Sequence, residues 1–462
     1  MNYKKLLQFK SVTNVGLIGT GAFGRSFLSQ ARLVPGIRVP VVCDQDIDVA
    51  EVACLQAGMA PEYLKICHTE SDAIESIAAG KTAVVSDAPL MMTLPIEVVI
   101  EASGMPEAGA NHARAAIENG KHVVMVTKET DCVVGPILNR LAVKAGLVYT
   151  PADGDQPSLL IGLISWAETL GFDIMCAGKA SELDFIYEHD SKTITRGDQT
   201  ATCIEKDLWE PAGGATEPGI SLRRRSLESL PQFSVADLCE MAIVINATGY
   251  GYDAPQLHAP IARIIEMPEI MCDRADGGIL QKEGVIDMVN CLRRPDELSF
   301  AGGVFVIVKC RGRETWQFLK DKGHLVSRDG ARAMIFRPHH LLGVETATSV
   351  LAANHLKLST GGTDPKPRVD VGVRACQTLQ QGYRLTMQPD HSIAGVMPEI
   401  LPAKKMNSDN PVPYYMATGQ KLKHSVEKGC LLTYGMIDHD EQSCLWKLRR
   451  EQGELFRMPD RK

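Results

Sequence analysis

Three features predict an α/β fold whose first third is a doubly wound parallel sheet. Short, almost continuous apolar runs alternate with segments of helical periodicity up to about residue 150. A glycine-rich turn, Gly19-Thr20-Gly21-Ala22-Phe23-Gly24, directly follows the first run. From about residue 350 the pattern changes to short strands punctuated by prolines, which predicts a small β-rich terminal domain. Strands that are apolar throughout, rather than alternating, belong to a parallel sheet covered on both faces.

Taken in order, residues 14–19 read as a buried strand and 22–32 as a helix. Residues 38–43 form a second strand, followed by a helix over 46–58. Further strands are expected at 82–87 and 97–102. Ala110, Ala113, Ala116 and Ile117 give 107–119 a helical face, with Gly120 as its stop. Residues 122–127 make a strand, Pro136 is expected near the start of the next helix, and 147–150 close the series. A strong apolar helix follows over 157–171. Residues 173–345 are mixed, with a polar stretch at 186–220 and a strand at 301–310. Strand-like segments at 370–375, 411–422 and 430–437 complete the chain. The expected division is a dinucleotide-binding domain over 1–155, an α+β catalytic domain over 156–348 and a β-rich module over 349–462.

The chain has 462 residues, 45% of them apolar and 23% charged, with a net charge of −7. That acidic balance argues against a nucleic-acid partner, which calls for a basic face. No apolar run is long enough to span a bilayer, and no secretion signal is expected at the N-terminus. Thirteen cysteines occur without a C-x-x-C pair, and most stand in apolar stretches. Buried, reduced thiols in a cytoplasmic protein are the expectation, and a zinc site is not.

The glycine turn matches G-x-G-x-x-G between a strand and a helix, where the chemistry needs it. The first glycine makes the turn and the second admits a pyrophosphate to the backbone. The third lets helix and strand pack closely, while the helix N-terminus offers free N–H groups to the phosphates. This predicts a Rossmann-type domain holding NAD(H) or NADP(H). Asp44 ends the second strand, where a carboxylate reads the ribose 2′-hydroxyl and favours NAD; Arg25 and Arg38 are the nearby cations an NADP site could use.

Other candidates cluster at strand ends. Ser103 and Gly104 follow the 97–102 strand and are expected to line the nicotinamide ribose. Lys128 ends the 122–127 strand, where it could orient a carbonyl or act as an acid; a solvated lysine is the plainer alternative. Asp153 and Asp155 could hold an ion, orient substrate hydroxyls or cap the helix that Pro157 begins. Lys179 and Ser181 are read in a loop after a strand, suited to a phosphate or carboxylate. Arg223, Arg224 and Arg225 read as a solvated helix end, and at most one of His339 and His340 can face a site. Zinc-protease, serine-hydrolase and P-loop motifs are missing from the sequence.

The segments GLIGTGAFG, VTKE, DGDQP, AGKASE, ADGGILQKEGVIDMVNCLRRPDELSFAGGVFV, GHLVSRDG and RPHHLLGVE together resemble the DXR-like (DRL) reductoisomerases. These are homoserine-dehydrogenase-like proteins with a C-terminal SAF-type domain, and the likeness runs from about residue 1 to about 455. The resemblance implies three domains, a homodimer and NADPH-dependent conversion of 1-deoxy-D-xylulose 5-phosphate to 2-C-methyl-D-erythritol 4-phosphate in isoprenoid biosynthesis. It also implies a magnesium or manganese ion on the substrate oxygens, with Lys179, Ser181 and Arg337 as phosphate partners and Lys128 and Asp155 beside the chemistry. Asp44 sits awkwardly with NADPH. The alternative expectation is a plain dehydrogenase of a polyol, sugar acid or hydroxy acid. A non-catalytic cofactor sensor would need neither Lys128 nor the acidic turn.

Overall fold

The computed structural model describes residues 2–202, 209 and 216–460. The chain forms two compact units, Met1–Ser158 with Leu341–Met397 and Leu401–Lys462, and Leu159–His340 with Pro398–Ile400.

The first unit contains a seven-stranded sheet in the order β3-β4-β2-β1-β5-β6-β7. Its strands are β1 (Thr13–Ile18), β2 (Ile37–Cys43), β3 (Leu64–Ile66), β4 (Thr82–Val85), β5 (Val98–Glu101), β6 (His122–Met125) and β7 (Tyr149–Pro151). Every pairing in it is parallel. Val15, Leu17, Val41, Val42, Val84, Ile100 and Val124 expose none of their surface, as a sheet covered on both faces requires. Ile18 lies opposite both Cys43 and Glu101, and Glu101 opposite Met125, so the carboxyl ends of four strands are level. The order reverses between β1 and β5, which opens a crevice at that edge.

One expected boundary moves. Pro136 lies inside the helix Lys128–Lys144, not near its start. An interior proline removes a helical hydrogen bond and crowds the preceding turn, a cost of about 3 kcal/mol. The helix Cys444–Leu455 supplies replacements. Ile137 N–H donates to Gln452 Oε1 at 3.1 Å, while Gln452 Nε2 donates to the Val133 carbonyl at 3.0 Å and Arg449 Nη1 to the same oxygen at 3.3 Å. The end of the chain therefore belongs to the same compact unit as the seven-stranded sheet, although residues 349–462 read as a separate module.

That C-terminal region contains β16 (Val369–Ala375) and β17 (Val396–Pro402), with isolated bridges such as Arg374 to Leu431. The 411–422 segment is not a strand: Tyr414–Ala417 is a short helix with all four residues buried. A half-exposed strand would turn alternate residues outward, and here none is free to turn.

The second unit holds β8 (Ile174–Ala180), β9 (Phe185–Glu188), β10 (Thr193–Arg196), β11 (Gln199–Thr202), β12 (Ile261–Ala262), β13 (Val285–Arg293), β14 (Val304–Lys309) and β15 (Arg332–Arg337). They form a mixed sheet in the order β11-β10-β9-β13-β8-β14-β15, with β12 beside β13. Lys179 is inside β8 rather than in a loop after it. Gly178 keeps the strand tight, since a Cβ there would meet the Asp287 carbonyl oxygen at 2.0 Å. The polar stretch 186–220 falls partly outside the described residues. Within 216–226, Arg223 is not a solvated helix end: it is 2% exposed and grips Glu266 through two hydrogen bonds of 2.8 and 3.1 Å. Among the described residues no helix is long and apolar enough to cross a membrane.

Candidate active site

The glycine turn of the first unit closes on itself and leaves one side open. Gly19 has φ +90°, and a Cβ there would lie 2.3 Å from the Ala102 carbonyl oxygen. A Cβ on Gly24 would lie 2.2 Å from the Gly19 carbonyl oxygen, whereas one on Gly21 would meet nothing within 4 Å among the described residues. Gly21 is the N-cap of the helix Ala22–Ala31, which Ala22 and Phe23 open, so free N–H groups face that space. A cleft of about 390 Å³ lies there, lined by Gly19, Thr20, Gly21, Asp44, Asp87, Ser103 and His112 among others.

Asp44 is built into this turn. Its Oδ2 accepts from the Thr20 N–H at 2.8 Å and the Thr20 hydroxyl at 2.7 Å, and its Oδ1 from the Asp46 N–H at 3.3 Å. The lining carries two carboxylates, Asp44 and Asp87, and no lysine or arginine among the described residues. Arg38 is turned to the other end of β2, donating to the Ile77 carbonyl at 3.0 Å, and Arg25 lies exposed on the helix. Ser103 and Gly104 lie just past the end of β5, and Ser103 lines the cleft. Ser103 N–H donates to Glu101 Oε1 at 3.2 Å and Gly104 N–H to Thr127 Oγ1 at 3.0 Å.

Sequence reading missed Glu101 and His112. Glu101 is fully buried, and its Oε1 stands 3.1 Å from His112 Nδ1 while Oε2 has no hydrogen-bond partner among the described residues. The available signal was the placing of His112 one helical turn from Ala108 and from Ala116, on the face turned to the sheet.

Lys128 and Asp155 come to the carboxyl ends of β6 and β7 in the same sheet. Lys128 is half-buried at the first position of its helix. The following turn is buried and charged: Glu129 lies 3.1 Å from His391 Nδ1, and Asp131 accepts from the Tyr149 hydroxyl at 2.8 Å. Burial pushes the Asp131 carboxyl up to about 7, with the Asp155 charge adding to the rise and the tyrosine hydroxyl opposing it. Asp155 itself accepts from the Gln156 N–H at 3.0 Å. Asp153 is a clamp: its N–H donates to Ser349 Oγ at 2.8 Å, and its carboxylate accepts from Ser158 and Thr348 hydroxyls.

In the second unit, Lys179 is completely buried. Its Nζ donates to Asp237 Oδ1 at 2.6 Å, to Glu240 Oε2, and to Glu182 Oε1 at 3.5 Å. Asp237 and Glu240 face inward from the helix Val235–Thr248; they were invisible as a pair to Lys179 because 58 and 61 residues separate them from it. Burial raises the Asp237 carboxyl despite the lysine beside it. Lys179 therefore faces carboxylates instead of an opening for an anion. Ser181 is also engaged, donating to the Leu183 carbonyl at 3.0 Å and accepting from Arg196 at 3.4 Å. Arg337 is exposed at the end of β15, in the row of Val304 and Lys179. His340 Nδ1 stands 3.0 Å from the Gly302 carbonyl oxygen, a structural contact. A second buried centre places His258 between Asp287, at 2.6 Å, and Asp253, at 3.3 Å, which hold its ring above the usual imidazole range against the effect of burial.

Carboxylate oxygens of Glu182, Asp237 and Glu240 lie within 4.8 Å of one another, a spacing a divalent ion could use. The Lys179 ammonium already stands among them and supplies the positive charge. A resident metal ion does not fit this group while the lysine occupies its centre.

Residues 232–346 match the family described as oxidoreductase DRL, catalytic domain. A comparison with curated proteins finds no match. Among solved structures, an oxidoreductase domain protein from Kribbella flavida is 16% identical over 47% of this chain and 54% of its own, with a TM-score of 0.29. The scyllo-inositol dehydrogenase of Lactobacillus casei is 13% identical over 77% of this chain and 92% of its own, with a TM-score of 0.38. A DOX-P reductoisomerase in complex with magnesium is 16% identical over 37% of this chain and 46% of its own, with a TM-score of 0.28. The chain thus spans about half the length of the first of these, 54%. The first unit thus carries a cleft at its glycine turn, and residues 232–346, most of them in the second unit, match an oxidoreductase catalytic domain.

Proposed function

We propose that the protein is a dehydrogenase that interconverts a hydroxyl and a carbonyl on a small polyhydroxylated substrate, with NAD(H) as its preferred cofactor. The carrying observation is the acidic cleft: Asp44 and Asp87 line it without a lysine or arginine among the described residues. A ribose 2′-phosphate would meet two carboxylates there, while a 2′-hydroxyl can donate to Asp44. When bound, the cofactor supplies the hydride acceptor or donor. The chain's own residues would hold the substrate and move its proton, with Lys128 at the carboxyl end of β6 as the group that touches the reacting oxygen. The sealing of Lys179 and Ser181 by protein partners also favours a substrate without a phosphate at that point.

A second reading, reduction and rearrangement of 1-deoxy-D-xylulose 5-phosphate to 2-C-methyl-D-erythritol 4-phosphate, is favoured by the match of 232–346 to the DRL catalytic domain. One assay separates the two. The purified chain is supplied with NADH or NADPH and deoxyxylulose phosphate, with and without magnesium or manganese, and in parallel with NAD and a panel of polyols, sugar acids and hydroxy acids. Products are identified by mass and NMR. Metal-independent turnover of a polyol or hydroxy acid with NAD supports the dehydrogenase. Formation of the branched methylerythritol phosphate overturns it in favour of the reductoisomerase.

A further inference from the structure

We infer that His112 contacts the nicotinamide half of the cofactor, its Nε2 accepting a hydrogen bond from a hydroxyl of that ribose, and that Glu101 is the residue that positions the ring. This rests on the reading of the cleft as an NAD(H) site.

Glu101 ends β5, and none of its surface is exposed. Its Oε1 accepts from the Ser103 N–H at 3.2 Å and stands 3.1 Å from His112 Nδ1. The imidazole is the one side chain hydrogen-bonded to this carboxylate among the described residues. A carboxylate oxygen accepts, so Nδ1 is the donor, and in the neutral ring Nε2 is then the acceptor. Nε2 has no hydrogen-bond partner among the described residues. The side chain stays 19% exposed and lines the cleft together with Ser103, Met105 and Ala108.

The helix Pro106–Glu118 brings the ring to this carboxylate because Gly109 lets it lie close to β5. A Cβ on Gly109 would meet Thr130 Oγ1 at 2.3 Å and Glu101 Oε2 at 3.1 Å. Thr130 donates in turn to the Pro106 carbonyl at 3.0 Å, which fixes the first turn of that helix. A buried acid needs a donor, and a ring sealed from the cleft would serve that need as well. Here the ring spans from the buried carboxylate to the cleft wall, with one nitrogen engaged and the other left for a ligand.

The order of the strands decides which part of a dinucleotide meets this wall. β1 lies between β2 and β5. Asp44 follows β2, the glycine turn follows β1, and Glu101 ends β5. A pyrophosphate on the turn, with the adenosine ribose at Asp44, leaves the nicotinamide ribose to the β5 side. A ribose hydroxyl has a hydrogen to donate and so matches a neutral Nε2, whereas an ionised phosphate oxygen offers that atom none.

The test uses the full chain and three probes: NADH, ADP-ribose and ADP. ADP-ribose carries the second ribose without the nicotinamide, and ADP ends at the pyrophosphate. Calorimetric titrations compare wild type with His112→Phe, which keeps a ring and removes both nitrogens. NADH and ADP-ribose should bind the variant about three- to tenfold more weakly, the loss of one hydrogen bond, with ADP affinity unchanged. An equal loss for ADP, a loss confined to NADH, or no loss at all overturns the proposal. Nitrogen NMR of histidine-labelled wild type reads the ring directly, even where the variant folds poorly. ADP-ribose should shift the Nε2 resonance of a ring in the Nδ1–H form, and ADP should leave it in place; the resonance is the one that His112→Gln lacks. Glu101→Gln, whose amide presents either an oxygen or an NH2 to the ring, should turn that resonance into a mixture of both tautomers. A ring in the Nε2–H form in wild type, a resonance that ADP-ribose leaves unmoved, or an unmixed spectrum in Glu101→Gln counts against the assignment and overturns it. If wild type binds neither NADH nor ADP-ribose, the cofactor reading fails and takes this inference with it. If wild type binds both and His112→Phe binds them equally well, the inference alone fails.

Discussion

Tyr149 donates its hydroxyl hydrogen to Asp131 at 2.8 Å, and both residues are buried beneath the carboxyl edge of the cofactor sheet. The carboxyl is raised from 3.8 to about 7. The folded state therefore holds a proton that the unfolded chain gives up near pH 4. The stability from that proton is fully present below pH 4 and is lost as pH rises through about 7, a total of about 4 kcal/mol. Asp131→Asn keeps the acceptor for Tyr149 and cannot ionise. Denaturant melts at several pH values should show the variant gaining on wild type between about pH 4 and 7, and parallel curves would contradict the account.

The glycine turn separates folding from binding. Gly21→Val adds carbon only to open space, so the protein should fold with an unchanged melting temperature and lose cofactor binding. Gly19→Ala drives a Cβ against the Ala102 carbonyl from a backbone at φ +90°, and should lower stability itself. Thermal melts beside NADH fluorescence titrations distinguish the two. Normal cofactor binding by Gly21→Val would remove the turn from the pyrophosphate site.

On the proposed reading, Asp44 sets the cofactor preference. Asp44→Ser removes the carboxylate from the ribose position and should shift the ratio of NADH to NADPH affinity towards NADPH by about tenfold or more, measured by titration with each. It also removes the acceptor of two hydrogen bonds from Thr20, so some loss of affinity for both is expected. An unchanged ratio would move the ribose away from Asp44.

Lys179 neutralises two sealed carboxylates. Lys179→Met leaves Asp237 and Glu240 buried without their cation and should cost about 3–5 kcal/mol in urea unfolding. Adding Asp237→Asn and Glu240→Gln to that variant should recover most of the loss. A triple variant no more stable than Lys179→Met would mean that the lysine's packing, not its charge, holds the site.

Lys128→Met should abolish turnover while NADH still binds, since Lys128 opens the helix that follows β6 and lies outside the glycine turn. Retention of more than about a tenth of wild-type activity, under about 1.4 kcal/mol of barrier, would exclude a central role.

The cofactor half was legible because its signals are local. A Gly-x-Gly-x-x-Gly turn needs neighbours a few residues away, and a strand buried on both faces shows itself in its own run of apolar side chains. The polar half was not legible for the converse reason. Lys179 looked like a loop cation because nothing near it in sequence announces Asp237 and Glu240. Arg223 looked solvated because Glu266 is 43 residues further on. Nothing near Glu129 in the sequence announces its partner His391, which comes from the far end of the chain.

By itself, then, the sequence determined the parallel sheet, the glycine turn and the carboxylate at the end of β2, all of which follow from backbone geometry and short-range spacing. Only the tertiary structure decided which charges are buried together, how Gln452 replaces the hydrogen bonds that Pro136 breaks, and that the C-terminal segment completes the cofactor unit. A charge can be kept out of water only where an opposite charge or a donor meets it in space, and that meeting has no signature in the local pattern of either residue.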